Sequence, residues 1–268
     1  MAGRRSQAPG PAHDPYDEEL RDAPLHVLLT ALETGSPAAR YVAAMRLHER
    51  AALQHTTYPS LLEAAARGPT HVATQALEAI GTGWFGEDRK QIVNGLRSLA
   101  RGSDPVVRLG AATALWRTTG AAQPALRELR RALRSTDEQV LVFAVADCRA
   151  LGREARVLAG ALRRLADRSG PDHRARIAAA LFRVGAGVRV SAGCFRSVLR
   201  EGTDEQQTTA LHEIGSMPPV ARLLARPIAD IAEGRTGAPE AVRATARATL
   251  LFGAGGRARR AHAPRSRR

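Results

Sequence analysis

The sequence repeats with a period of about 34 residues, and this period restricts the fold more than any other feature of the chain. Seven segments align, each opening with a helix-start signal before an alanine-rich amphipathic run. The predicted starts are spaced 32 to 35 residues apart and lie near Ser36, Pro69, Asp104, Asp137, Asp172, Asp204 and Pro239. A second amphipathic stretch follows each of the first six runs. Because one helical hairpin cannot bury its apolar face alone, we expect about seven hairpins to stack as an all-α solenoid.

The composition supports one helical domain with unstructured ends. Aromatic residues make up 4% of the chain, whereas strands favour aromatic and β-branched residues. We predict the solenoid over residues 16–252, with a capping helix over 16–35. Segments 1–15 and 253–268 are predicted to be disordered, because Pro, Gly and Arg dominate them. The last fourteen residues contain six arginines and no acid, which leaves open whether this tail contributes to binding.

The third repeat, "DPVVRLGAATALWRTTGAAQPALRELRRALRS", resembles the HEAT-like repeat of the phycobilisome-lyase type. That pattern runs Asp-Pro-x-Val-Arg, then Ala-x-x-Ala-Leu, then Gly, then a Pro-Ala-Leu second helix. The resemblance covers residues 36–252 and implies that second helices line the concave side of a HEAT-like superhelix. The arginine of "DPVVR" recurs in the first helices and is predicted to hold neighbouring repeats together. Its row is Arg40, Arg108, Arg176 and Arg243.

The second helices carry a different row of basic residues, which is the candidate functional site. Four core positions align at intervals of 33 residues: Leu96, Leu129, Leu162 and Phe195. The next residue in every repeat is an arginine: Arg97, Arg130, Arg163 and Arg196. Four positions later stand Arg101, Arg134, Asp167 and Arg200, and seven positions before the arginine row stand Lys90, Gln123, Arg156 and Arg189. On an α-helix these positions fall on one flank of the apolar stripe.

Three interpretations of this arginine row stay open: an anion-binding surface, a solvated arginine face, or an internal ladder between repeats. The chain has a net charge of +14, and residues 97–200 hold twenty arginines against eight acids. The row ends where acids begin, at Glu63 and Arg67 in the first repeat and at Ala229 and Glu233 in the sixth. An internal ladder needs acids beside the arginines, and Asp167 is the only acid in these rows.

Two aromatic residues, Trp84 and Phe85, stand between glycines in "GTGWFGEDRK". We consider them a contact point at the end of the basic surface, either as a binding hot spot or as a stacking platform for a base. Packing over the neighbouring repeat is the alternative.

These features predict a non-enzymatic binding scaffold whose basic concave surface holds an acidic protein segment or a nucleic-acid backbone. The alternative is a HEAT-like DNA glycosylase acting on alkylated bases, which needs an acid beside aromatic residues; Asp147 and Asp167 are the acids to inspect. A bilin lyase is a further alternative, implied by the repeat type alone. The pairs His48-Glu49 and His212-Glu213 lack partners one repeat away, so the iron site of deoxyhypusine hydroxylase is not expected.

No cofactor or metal is predicted, since no zinc spacing, phosphate-binding loop or dinucleotide fingerprint is present. Cys148 and Cys194 are expected to be free thiols. No apolar run is long enough to span a membrane, and "MAGRRSQAPG" lacks a signal peptide, so we expect a cytoplasmic protein. The partner and the oligomeric state are left open.

Overall fold

The computed structural model describes residues 20–50, 58–82 and 89–255. Within these ranges the protein is all-helical, and no strand occurs. The chain divides into two compact units, Met1–Glu128 and Leu129–Arg268. Of the predicted end segments, residues 1–15 and 256–268 lie outside the described residues. Within the described ranges no helix is long and apolar enough to cross a membrane.

The described residues of the first unit form a succession of helices. They are α1 (Leu25–Thr34), α2 (Pro37–Arg50), α3 (Tyr58–Arg67), α4 (Thr70–Thr82), α5 (Arg89–Leu99), α6 (Pro105–Thr119) and the greater part of α7 (Ala122–Ala132). The region predicted as one capping helix is divided, because residues 20 and 21 are helical but residues 22–24 are not. Pro24 disfavours a helical conformation in the residue before it, so the helix restarts at Leu25.

The second unit begins at the end of α7 and continues with helices of less uniform length. They are α8 (Glu138–Leu151), a 3-10 helix (Gly152–Leu158), α9 (Ala159–Arg168), α10 (Pro171–Arg183), α11 (Val188–Glu201), α12 (Asp204–Gly215), α13 (Pro218–Leu223), α14 (Ala225–Ala232) and α15 (Glu240–Gly255). The helix α15 therefore extends three residues beyond the predicted end of the repeat region at residue 252.

Within each unit, several helices pack against the helix after next. In the first unit, α2 packs on α4 and α4 on α6, while α1 packs on α3 and α3 on α5. A glycine permits the close approach of α5 to α3, since a Cβ at Gly95 would lie 2.7 Å from the side chain of Leu62. In the second unit, α8 packs on α10 and α10 on α12, while α12 packs on α15, three helices later. Each unit thus buries its apolar side chains between alternating helices.

Capping residues define the period more strictly than the sequence pattern did. The helices α6, α8, α10 and α12 have their N-caps at Asp104, Asp137, Gly170 and Thr203, each 33 residues after the last. The aspartates at 104 and 137 accept hydrogen bonds from two backbone amides each. The N-caps of α10 and α12 therefore lie two residues and one residue before Asp172 and Asp204, the starts predicted from the sequence.

The earlier start of the fifth repeat changes which arginine occupies the inter-repeat row. Four residues after the N-cap, Arg108 donates through Nε to Glu128 Oε2 at 2.8 Å and through Nη1 to the carbonyls of Gly102 and Ser103 at 3.2 Å. The corresponding residue of α10 is Arg174, whose Nη2 donates to Ser169 O at 2.7 Å. The structure thus places Arg174 in this row, and the sequence prediction of Arg176 is wrong by two residues.

Candidate functional site

The predicted core register of the second helices is confirmed at all four positions. Leu96, Leu129, Leu162 and Phe195 are each 0% exposed. The residue that follows each of them is an exposed arginine, namely Arg97, Arg130, Arg163 and Arg196. The row is therefore presented to solvent at each position. The surroundings of these arginines differ from repeat to repeat, so each unit has its own arrangement of basic side chains.

In the first unit, three arginines line one cleft of about 330 Å³. Arg97 comes from the last turn of α5, Arg101 from the turn after it, and Arg127 from α7. All three side chains are exposed, and Arg97 also donates to Asn94 Oδ1 at 3.4 Å. The cleft therefore collects guanidinium groups from two helices and one turn, which is an arrangement suited to an oxyanion.

The carboxylate in this cleft is already engaged by an arginine outside it. Glu128 lines the cleft and accepts from Arg108, and the two side chains are only 20% and 16% exposed. Because this ion pair is largely shielded from water, it neutralises Glu128 within the protein. The positive charge of the three cleft arginines is consequently not cancelled by the neighbouring acid.

Sequence alignment did not assign Arg127 to the site. The residues 33 positions before and after it are Asn94 and Gly160, so no periodic signal marks the position. The only indication was local, because Arg127 shares the polar flank of α7 with Arg130 and Arg131. Its contribution became visible only when α5 and α7 were placed side by side. The remaining basic residue predicted on α5, Lys90, is exposed near the start of that helix.

In the second unit, two of the predicted arginines are bound to neighbouring groups. Arg163 donates through Nη2 to the carbonyl oxygen of Ala186 at 2.9 Å and thereby links α9 to the turn before α11. Arg200 is hydrogen-bonded to Glu201, and this bond is the main cause that lowers the pKa of the Glu201 carboxyl. Arg163 therefore has a structural role as well as an exposed position.

The other predicted arginines of the second unit extend into solvent. Among the residues that the structure describes, no hydrogen-bond or ion-pair partner occurs for the side chain of Arg130, Arg134, Arg156, Arg189 or Arg196. One of them departs from the predicted helical alignment, because Arg156 lies in the 3-10 helix that precedes α9. A 3-10 helix turns more tightly than an α-helix, so the predicted wheel position of Arg156 does not hold.

The acidic ends of the row contain internal ion pairs. Glu63 and Arg67 of α3 form an (i,i+4) pair at 2.9 Å, and both are exposed. Glu233, which follows α14, pairs with Arg235. The aromatic residues predicted near the basic surface, Trp84 and Phe85, lie outside the described residues.

Three cavities formed by described residues lack the side chains expected for a glycosylase. They are the cleft in the first unit, a second cavity beside Arg40 and an apolar cavity in the second unit. Neither Asp147 nor Asp167 lines any of the three, and no Phe, Tyr or Trp does so. Asp167 is exposed, and Asp147 is half-buried.

The described side chains also include those of one of the two His-Glu pairs and of both cysteines. Within the described residues, no group of three or more His, Cys, Asp or Glu side chains is placed to hold a metal ion. Glu213 of the second His-Glu pair accepts from Arg149 at 2.6 Å. Both cysteines are free. Burial raises the pKa of the Cys148 thiol to about 12, with a further contribution from Asp147, so this thiol stays protonated at neutral pH.

Comparisons with known proteins do not assign the chain to a family. No family model matches it, and no curated protein sequence matches it. Among solved structures, it is similar to the crystal structure of an engineered protein from the Northeast Structural Genomics Consortium. The identity is 19% over 87% of this chain and 97% of that chain, with a TM-score of 0.32. A likeness at this TM-score does not define the fold.

Proposed function

We propose that the helical hairpins of each unit stack as HEAT-like α-solenoid repeats and that the protein is a non-enzymatic scaffold for an acidic partner. The partner is an acidic protein segment or a nucleic-acid backbone, and the second-helix arginines bind it. Two features support the repeat assignment: the N-caps recur every 33 residues in four successive first helices, and within each unit several helices pack against the helix after next.

The observation that carries the proposal is the arginine cleft of the first unit. Arg97, Arg101 and Arg127 line one cavity, while Arg108 neutralises the adjacent Glu128 at 2.8 Å. A guanidinium presents its donors in a planar fork that matches a carboxylate or phosphate group in two parallel hydrogen bonds. Three such forks around one cleft bind a chain of anions better than a single charge, because successive anions reach successive arginines.

The second unit supplies its own exposed arginines. Arg130, Arg134, Arg189 and Arg196 have no partner among the described residues and stay hydrated in the free protein. Binding of a polyanion releases condensed counterions, so such contacts weaken steeply as salt rises. The affinity of the protein is therefore expected to depend strongly on ionic strength.

The test replaces the three cleft arginines together, as Arg97→Gln, Arg101→Gln and Arg127→Gln. Fluorescence anisotropy would follow the binding of a labelled polyglutamate peptide and of a labelled single-stranded oligonucleotide across a salt series. We expect at least about tenfold weaker binding of one or both probes. For the oligonucleotide, each lost phosphate contact should reduce the log-log salt slope by about 0.7.

The control removes the same charge from exposed arginines outside the cleft, as Arg153→Gln, Arg183→Gln and Arg226→Gln. These three have no ion-pair partner within the described part of the chain. A diffuse attraction depends on net charge alone and would weaken equally in both variants, which would refute the cleft as the binding site. Failure of the wild-type protein to bind either probe would refute the scaffold proposal itself.

A further inference from the structure

The second unit contains a cavity of about 440 Å³ that the proposed scaffold function does not use. It lies where the N-terminal halves of α8 and α10 meet the end of α9. Its floor is aliphatic and consists of Leu141, Val142, Val145, Leu165 and Ile177. The volume lies within the range of about 300–1,000 Å³ that small-molecule sites occupy.

The cavity lies beside α8 at a position where α6 and α10 carry the inter-repeat arginine and α8 does not. Four residues after their N-caps, α6 and α10 carry Arg108 and Arg174, whose guanidiniums reach back to the carbonyls of the preceding turn. The corresponding residue of α8 is Leu141. A leucine is shorter than an arginine and has no donor, so no guanidinium of α8 fills the place that Arg108 and Arg174 fill beside α6 and α10.

The rim of the cavity is cationic. Arg176 lies at the rim and is exposed, with no partner among the described residues. Arg168 also lines the cavity and donates through one nitrogen to Leu133 O at 3.2 Å. The single acid at the rim, Glu138, is 3.0 Å from His173 Nε2. Two guanidiniums thus face one carboxylate, which already has a hydrogen-bond partner.

We propose that this cavity binds a small amphipathic carboxylate, with its apolar body on the aliphatic floor and its carboxylate at Arg176 and Arg168. The apolar floor selects against fully polar anions such as free phosphate. The cationic rim selects against neutral and cationic amphiphiles, because they leave the arginines without a counter-charge. This site is separate from the arginine cleft of the first unit and does not depend on the scaffold function.

The test is isothermal titration calorimetry of the full-length protein with decanoate, decan-1-ol and decylamine, each below its aggregation concentration. Decanoate should bind at least about tenfold more tightly than the other two, since a hydrogen bond between charged groups is lost with either of them. The affinity should also rise about fourfold for each methylene between octanoate and decanoate. Absence of decanoate binding, or equal binding of decanoate and decan-1-ol, would overturn the proposal.

Leu141→Arg tests the location of the ligand. Because Arg108 and Arg174 fill the same place in other repeats, we expect the new arginine to occupy the cavity, retain the helical circular dichroism of the wild type and abolish decanoate binding. Leu223→Arg is the matched control, since Leu223 is 45% exposed and lies outside the cavity. Unchanged decanoate binding by the Leu141→Arg variant would contradict the site.

Arg176→Gln provides a second variant in case Leu141→Arg does not fold, because an exposed side chain without a partner is not needed for stability. Its affinity for decanoate should fall about tenfold, while its weak affinity for decan-1-ol stays the same. If the decanoate affinity is unchanged, the carboxylate is not held at this rim.

Discussion

Arg174 makes the contacts that separate the observed repeat register from the predicted one, and its replacement by methionine tests that register. Its guanidinium donates to Ala166 O at 3.2 Å, to Ser169 O at 2.7 Å and to Ser197 Oγ at 3.0 Å. It also lies 3.4 Å from Glu201. Methionine retains most of the apolar stem and removes every hydrogen-bond donor. The loss of stability in this variant therefore measures the hydrogen bonds of Arg174 rather than its packing.

The expected loss of stability comes mainly from the two backbone carbonyls that Arg174 binds. The Arg174 side chain is only 20% exposed, so the carbonyls of Ala166 and Ser169 are poorly hydrated once the guanidinium is gone. Each lost bond costs about 1–2 kcal/mol, whereas the pair with the exposed Glu201 adds little. The free energy of unfolding of the second unit should fall by roughly 2–4 kcal/mol, which lowers its Tm by about 6–12 °C.

Urea and thermal denaturation followed by circular dichroism would measure the effect, with Arg176→Met as the control. Arg176 stands two residues further along the same helix and is exposed, so its replacement should change the free energy of unfolding by less than about 0.5 kcal/mol. Equal destabilisation by the two variants, or a larger effect of Arg176→Met, would refute the register and the role of Arg174 derived from it.

Three further predictions concern the second unit. Phe195→Ala should lower the free energy of unfolding by about 3–5 kcal/mol, because the ring is 0% exposed and its removal leaves a cavity. The control Leu223→Ala, at an exposed site, should have little effect. Similar losses of stability in the two variants would contradict the assigned core. Burial raises the pKa of the Cys148 thiol to about 12. Labelling of Cys148 by iodoacetamide at neutral pH should therefore be far slower in the native protein than in urea. Equal labelling rates would show that the thiol is accessible. The hydrogen bond from Arg200 lowers the pKa of Glu201, so the stability that this bond contributes is present above about pH 4.3 and is lost as the pH falls through the lowered folded pKa. When the free energy of unfolding is measured against pH, it should fall less steeply at acid pH in the Glu201→Gln variant than in the wild type. Identical slopes at acid pH would exclude this linkage.

The repeat period and the buried face of the second helices could be read from the sequence. The recurrence of apolar residues every 33 positions predicted that Leu96, Leu129, Leu162 and Phe195 are core residues, and all four are fully buried. The signal is local, because the amphipathic pattern of one helix already states which face it buries. The exposure of the adjacent arginines follows from the same pattern, since the next residue is rotated about 100° around the helix.

The exact start of a helix was less accessible to sequence reasoning. Asp172 looks like an N-cap, but in the structure it lies in the first turn of α10, behind the N-cap Gly170 and Pro171. An aspartate is favourable at both places, because a carboxylate caps free amides at the first and interacts with the helix dipole at the second. Charge alone therefore cannot distinguish them, and the two-residue error transferred the inter-repeat role from Arg174 to Arg176.

The sequence by itself determined that the described chain is helical and which face the second helices bury, because these properties depend on contacts between residues a few positions apart. Tertiary structure alone decided what each arginine does. Arg127 joins Arg97 and Arg101 in one cleft, whereas Arg163 is bound to the carbonyl of Ala186. A long guanidinium side chain binds whichever oxygen the packing of neighbouring helices brings within reach, and that distance is not encoded in the local pattern.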